Sequence, residues 1–245
     1  MNQDDYGLCV PKCEICGGIG YIGYDVGIHD ENFGKMRECP NRRLKHWDSS
    51  IGISVEEAQS LNWELFMQTD AVKRMRRAFA NVLERGYGWV YVYGNPGNGK
   101  TIMSKASAIY ARHVKGYPTK YCKVSELINH LRASYDEEHG QSLYMNRLKQ
   151  IREIKVLVLD EVGRDRQTEF SKQSLSDIMD SRYEDAISEK TVTIWAGNFP
   201  PEEILEPYQC DRIRDNRFSV LHIKDASNRP AVKGEREKSH WWHDY

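Results

Sequence analysis

The chain has 245 residues, enough for one substantial core and a small appendage, and its 40% hydrophobic and 29% charged residues give the balance of a globular protein. No apolar run approaches the ~18 residues that a membrane span requires, and the acidic start MNQDDYGLCV lacks the basic flank and apolar stretch of a secretory signal. A cytoplasmic protein with no membrane partner is therefore expected. Lys plus Arg number 35 against 36 for Asp plus Glu, a net charge of -1, which excludes a global positive field and confines any DNA contact to a local patch.

Residues 1–48 are rich in Cys and Gly and poor in aliphatics, so something other than burial must hold them. Residues 49–87 read as a helical lead-in. SVEEAQSLNWELF and DAVKRMRRAFANVLERG carry helical spacing, with Val72, Met75, Phe79 and Val82 or Leu83 on one face and Gly86 as the stop. From residue 88 to 232 strands and helices alternate, as in an α/β domain. Trp89–Tyr93 is a short β-prone run, TIMSKASAIYARHVKG is helical up to Gly116, and TKYCKV is a second strand. SELINHLRASY is a helix opened by Ser125 with Glu126 in its first turn, and YMNRLKQIREI is another. KVLVLDE has four consecutive aliphatics, the continuous hydrophobicity of a parallel strand covered on both faces. FSKQSLSDIMDSRYEDAI is a helix, TVTIWAGN a further strand, and residues 233–245 a polar tail.

The segment Gly94, Asn95, Pro96, Gly97, Asn98, Gly99, Lys100, Thr101 satisfies G-x-x-x-x-G-K-[ST] directly after a strand and before a helix. Its glycines permit a tight wrap in which successive N–H groups face phosphate oxygens at a helix N-terminus. Lys100 would reach the β and γ phosphates, Thr101 would give its hydroxyl to Mg²⁺, and Ile102 completes the nucleotide-binding run. Asp160 and Glu161 end KVLVLDE, the strand-end position where open α/β sheets place ligands. Asp160 would hold Mg²⁺ or its water, and Glu161 would orient or deprotonate the attacking water. Asn198, at the end of TVTIWAGN, is a candidate for the γ-phosphate or the lytic water, with a plain turn as the alternative. Arg212, Arg214 and Arg217 in DRIRDNRF are dense enough for one to act as an arginine finger, or to form a solvated basic face; Arg229 is a further candidate phosphate contact.

GNPGNGKT, the YMNRLKQIREIKVLVLDEVG block, the helix into Asp180-Ser-Arg-Tyr183, the TVTIWAGN strand and the late DRIR together resemble the AAA+ ATPases of the DnaC type. That group includes bacterial and phage replicative helicase loaders and the IstB-like transposition ATPases. The resemblance covers roughly residues 86–230. It implies a P-loop AAA+ three-layer domain with a parallel sheet and no separate C-terminal lid, assembling through its ATP sites into arcs, rings or spirals. It makes Lys100 and Thr101 the Walker A residues, Asp160 and Glu161 Walker B, and Asn198 sensor 1. An arginine from a neighbouring subunit would complete each site, Arg214 or Arg212 falling closest to the pattern.

Four of the six cysteines, Cys9, Cys13, Cys16 and Cys39, crowd into the first 39 residues, which in a reducing compartment favours metal over disulfides. Cys13 and Cys16 with the following Gly-Gly-Ile-Gly resemble a zinc knuckle, Cys39 supplies a third thiolate, and Cys9 is the chosen fourth against His29 and His46. An iron-sulfur cluster or free thiols are the alternatives to Zn²⁺. Metal would supply folding energy to a segment without a core. Similar finger-like modules precede the ATPase domain of some phage and DnaI-like loaders.

Basic groups at Lys73, Arg74, Arg76 and Arg77, and at Arg42, Arg43 and Lys45, offer phosphate contacts or solvated faces. Tyr21, Tyr24 and Phe33 can stack on unpaired bases or pack a metal site, and Trp241 and Trp242 suggest a docking contact or a fold-back onto the domain. Together these imply an ATP-dependent loader that engages a hexameric replicative helicase and DNA, single-stranded by preference. A transposition regulator that assembles on target DNA, an ATP-gated scaffold with negligible turnover, and a small-molecule P-loop kinase stand as alternatives.

Overall fold

The computed structural model describes residues 14–15, 21–23, 36–38, 49–54, 57–58, 69–135, 140–164 and 168–225. The chain divides into two compact units, Met1–Ser60 and Leu61–Tyr245. In the first, β1 (Tyr21–Gly23) pairs antiparallel with β2 (Met36–Glu38), Ile22 standing opposite Arg37. A single 3₁₀ turn, Ser49–Ile51, precedes a reciprocal pair of cap bonds: the Glu57 N–H donates to Ser54 Oγ, and the Ser54 N–H to Glu57 Oε2, both at 3.1 Å. That capping box opens the helix expected at SVEEAQ. Cys9, Cys13, Cys16, Cys39, Arg42, Arg43, Lys45 and the histidines that compete as ligands lie outside the described residues, as do Arg229, Trp241 and Trp242.

The second unit opens with α1 (Asp70–Arg85), where Thr69 Oγ1 accepts from the Val72 N–H and Gly86, in the left-handed region at φ 78°, closes the helix. Its buried stripe is the expected one: Val72, Met75, Phe79, Val82 and Leu83. There follow β3 (Gly88–Gly94), α2 (Lys100–Ile109), β4 (Thr119–Lys123), α3 (Val124–Tyr135), α4 (Gly140–Glu153), β5 (Val156–Val162), α5 (Glu169–Ile187), β6 (Val192–Gly197), α6 (Pro201–Ile204), α7 (Pro207–Ile213) and β7 (Ser219–Ile223). Several boundaries differ from the sequence reading. The α2 run passes into a π-helical turn, Tyr110–Val114, before Gly116, and α3 begins at Val124 straight out of the strand, one residue before Ser125. Helix α4 gains a turn at its start. The strand β7 and the short helices α6 and α7 are additions.

The five strands of this unit are parallel and ordered β4-β5-β6-β3-β7. Alternation along each strand sends Trp89, Tyr91, Leu157, Leu159 and Trp195 to one face, where Leu127, Ile128 and Leu131 of α3, Leu148 of α4, and Ile178 and Met179 of α5 cover them. Trp89 anchors this layer, edge-on to Trp195 at 5.4 Å and stacked on Phe218 at 5.4 Å. Helices α1 and α2 pack on the sheet from the other layer, so every central strand is covered twice, as continuous apolar strands require. The result is a three-layer α/β domain whose strand ends, all pointing one way, deliver their C-terminal residues to a single edge.

Candidate functional site

Three strand ends meet at that edge. The β3 strand runs into the glycine-rich loop, β5 ends in the acid pair, and β6, hydrogen-bonded to both, lies between them and ends before Asn198. The half-buried Asn198 thus emerges between the loop and the acids. Pairing through β6 brings the loop and the acids, some sixty positions apart in sequence, to the same edge.

The loop is held by its own chain. Gly94 has φ 140°, and a Cβ there would stand 2.0 Å from the Ile223 carbonyl oxygen, so only glycine lets β7 approach this closely. Asn98, fully buried, donates from Nδ2 to that same carbonyl at 3.2 Å and accepts from Lys100 Nζ on Oδ1 at 3.0 Å. Lys100 also donates to the Gly94 and Asn95 carbonyls at 2.7 and 2.8 Å. Gly99, left-handed at φ 89°, turns the chain into α2 with no side-chain cap, so the first N–H groups of that helix are turned toward the loop, with the dipole's positive end behind them. Burial pulls the Lys100 ammonium down to about 8, against the pull of the Asp160 charge, which favours the charged form. The ammonium's three donors are taken up inside the loop, so Lys100 offers phosphate oxygens its charge while the uncapped N–H groups of α2 offer the hydrogen-bond donors.

Asp160 is 2% exposed, and each of its oxygens accepts one hydrogen bond: Oδ1 from the Glu161 N–H at 2.8 Å, Oδ2 from the Tyr121 hydroxyl at 2.9 Å. Two of roughly four acceptor positions on an ionised carboxylate are so engaged, which leaves lone pairs for a hard cation or its water. With the half-buried Thr101 hydroxyl on α2, this donor set suits Mg²⁺. Glu161 is left-handed at φ 57°, unusual for a side-chain-bearing residue, at the point where the β5–β6 register shifts between Leu159 and Val162. Its carboxylate lies 3.2 Å from Arg164 Nη1 and 3.5 Å from Lys123 Nζ.

Arg212, Arg214 and Arg217 are each engaged by an acid within the chain, and Arg214 also reaches the hydroxyl of Tyr93 beside the phosphate loop. Arg212 pairs with Asp180 and lies over the rings of Tyr183 and Tyr208, at 5.1 and 5.6 Å. Arg214 pairs with Glu202. Arg217 holds Asp215 through Nε at 2.9 Å and through Nη2, and that guanidinium holds the Asp215 carboxyl well below the usual carboxylate range. On α1, Lys73 pairs with Asp70 and Arg74 with Asp225. Among the described residues no helix is long and apolar enough to cross a membrane.

Two groups at this edge escaped the sequence reading. Tyr121 reaches Asp160 from 39 residues away, and the Ile223 carbonyl anchors Asn98 from 125 away. The alternating SVLHI run was a usable signal for the strand that carries Ile223, whereas nothing local marks Tyr121.

Residues 62–236 match the family of IstB-like ATP binding proteins. No curated protein matches the sequence. Among solved structures the fold is similar to that of a DNA replication initiation factor, with a TM-score of 0.56 at 17% identity over 68% of this chain and 50% of that one. It is also similar to AMPPCP-bound DnaA from Aquifex aeolicus (TM-score 0.51, 18% identity, 63% of this chain, 46% of that). A replication initiator DnaA bound to AMPPCP and single-stranded DNA gives a TM-score of 0.54 at 16% identity over 67% and 52%. The chain thus spans about half the length of these structures, and the likeness establishes a P-loop AAA+ fold. With most of the sequence matched, and with the phosphate loop, its lysine and the acid pair gathered at one sheet edge, the chain belongs to the IstB-like ATP binding proteins and has the P-loop AAA+ fold.

Proposed function

We propose that this ATPase is a helicase loader of DNA replication: it assembles through its ATP sites in the cytoplasm, engages a hexameric replicative helicase, and delivers it to single-stranded DNA. The observation that carries the reading is an incomplete site. The loop, Asp160, Glu161 and Asn198 share one edge, while Arg212, Arg214 and Arg217 answer to Asp180, Glu202 and Asp215 instead. A neighbouring subunit that supplies an arginine completes the charge, which makes assembly and nucleotide state one event. The fold neighbours include a replication initiator bound to AMPPCP and single-stranded DNA.

In this reading Lys100 brings positive charge to the β and γ phosphates, and the N–H groups from Gly97 to Ile102 wrap them. Thr101 and Asp160 hold Mg²⁺, which when bound spreads the negative charge developing on the phosphates. Asn198 orients the attacking water and Glu161 accepts its proton. The N-terminal module, residues 1–48, binds Zn²⁺ through Cys9, Cys13, Cys16 and Cys39 and grips the helicase or DNA. The family match itself favours a second reading, a transposition regulator that assembles on target DNA and recruits a transposase. The ion pairs that hold Glu161 favour a third, a scaffold with negligible turnover in which ATP serves assembly.

One experiment separates these. The purified protein is mixed with the host's replicative helicase, or with duplex DNA, in the presence and absence of a non-hydrolysable ATP analogue, and complexes are followed by light scattering and electron microscopy. A nucleotide-dependent complex with the helicase that places it on circular single-stranded DNA is the expected result. Nucleotide-dependent filaments on duplex DNA without a helicase complex would overturn it in favour of transposition.

A further inference from the structure

The acid that faces the metal is not held by the Walker B strand alone. Tyr121 lies on β4, the edge strand beside β5, in register with Val158 and two residues before Lys123, which stands opposite Asp160. Its side chain is 4% exposed and its hydroxyl donates to Asp160 Oδ2 at 2.9 Å. An ionised carboxylate is acceptor only, so the phenol must be the donor. Lys105 of α2, one turn past Lys100, sets its ammonium 5.6 Å from the centre of the Tyr121 ring, so the same tyrosine is touched by the helix that begins at the phosphate loop.

The two donors act on different oxygens. The Glu161 N–H fixes Oδ1 through backbone that cannot move without moving the strand end, and the Tyr121 hydroxyl fixes Oδ2 from a second strand. With one donor on each oxygen, the plane of the carboxylate is set, and the unused lone pairs of Asp160 have set directions. Without the phenol the group retains one restraint and can rotate about its Cβ–Cγ bond. Burial makes the phenol's contribution larger, because at a 2%-exposed carboxylate it competes with little solvent.

We propose that Tyr121 is a positioning residue for the nucleotide site, fixing the Asp160 carboxylate in the orientation that receives the magnesium of Mg·ATP. The inference rests on the reading of Asp160 as the magnesium-side acid. Outer-shell donors of this kind change metal affinity by about 10- to 100-fold when removed.

The test is Tyr121→Phe, which deletes one oxygen and keeps the ring, its packing and its contact with Lys105. The full-length protein is titrated with Mg²⁺ at fixed fluorescent ATP analogue, and nucleotide affinity is measured separately in EDTA, with melting temperature in the absence of nucleotide as the check on folding. The expected result is a Mg²⁺ half-saturation raised about tenfold or more with metal-free nucleotide affinity within error of wild type, alongside a modest fall in the nucleotide-free melting temperature as the buried Oδ2 loses its donor. A purely structural role would weaken metal-free and Mg²⁺-supported nucleotide affinity together, and that outcome overturns the proposal. So does an unchanged Mg²⁺ requirement in Tyr121→Phe when Asp160→Asn abolishes the Mg²⁺ effect. If Asp160→Asn itself leaves the Mg²⁺ dependence intact, the assignment of Asp160 falls first, and the proposal with it.

Discussion

Arg182 ties the end of one helix to the sheet from inside the core. It is fully buried on α5, and no carboxylate touches it; Asp185 acts on it only at a distance. Its Nε donates to Thr193 Oγ1 at 2.7 Å and its Nη2 to the Val192 carbonyl at 2.6 Å, while Nη1 is shared among the carbonyls of Ile151, Arg152 and Ile154 at 2.9 to 3.2 Å. Two of those carbonyls belong to the last turn of α4, which a helix cannot satisfy internally, and the negative end of its dipole supplies the counter-charge that no acid provides. Burial pulls the guanidinium down to about 9, which still leaves it charged at neutral pH. Arg182→Met keeps the stem and deletes the donors. The Thr193 hydroxyl, deep in the sheet, is then stranded at ~1–3 kcal/mol, the Val192 carbonyl keeps its bond in the β5–β6 ladder but loses a charged donor at ~1.5–3 kcal/mol, and the α4 carbonyls can recover some water. Relief of the guanidinium's own desolvation offsets part of this, so a net loss of about 3–5 kcal/mol is expected. At ~2–4 °C per kcal/mol for a domain of this size, that is a fall in melting temperature of roughly 6–20 °C, measurable by circular dichroism and by urea denaturation. Arg182→Lys should recover little, because one ammonium cannot span both the sheet and the helix end. A Met variant within about 1 kcal/mol of wild type, or more stable, would refute the reasoning by showing that desolvation of the cation cancels its hydrogen bonds.

Lys100→Ala should remove the thermal stabilisation that saturating nucleotide confers, about 2.7 kcal/mol at a hundredfold excess over Kd; a normal ATP-induced shift in that variant would sink the phosphate-site assignment. Gly94→Ala forces a Cβ to 2.0 Å from the Ile223 carbonyl, so a destabilisation of ~3 kcal/mol or more, or loss of folded protein, is expected in chemical denaturation. Burial pushes the Cys122 thiol up to about 12, so at pH 8 about one molecule in ten thousand carries the thiolate; site-resolved mass spectrometry should find it unalkylated until the protein is denatured. Arg214→Ala should lower assembly-dependent turnover by ~10³-fold or more, while Arg212→Ala chiefly lowers melting temperature; the reverse pattern would reassign the arginine that acts between subunits.

What was legible in the sequence is what its chemistry keeps local. The phosphate loop needs eight contiguous residues, and the turn chemistry that makes Gly94 to Thr101 wrap a phosphate is the chemistry that makes the segment conspicuous. The β5 run is equally self-announcing, because a strand covered on both faces cannot alternate: Val156 to Leu159 are all fully buried. The α1 stripe fell on the expected residues for the complementary reason, one covered face at helical period. The strand β7 was missed because it is a half-exposed edge strand, with only Ile223 of its five residues buried, so its hydrophobic signal is the weakest in the sheet.

The remaining parts of the site were illegible because they are pairings, and a pairing has no spacing to read. Arg212 and Arg214 sit two residues apart with the same charge and the same local context. The fold gives the first an acid 32 residues upstream and two tyrosine faces, and gives the second an acid 12 residues upstream on a surface where both partners are about half exposed. An exposed pair contributes ~0–1 kcal/mol, so Arg214 gives up little by leaving Glu202 and the Tyr93 hydroxyl, whereas the less exposed Arg212 would surrender two ring contacts as well as its acid. The difference between an arginine that braces its own domain and one available to a neighbour therefore lies in where Tyr183, Tyr208, Asp180 and Glu202 are delivered by helices α5, α6 and α7. It is a property of packing, and the motif around DRIR carries it only once those helices are in place.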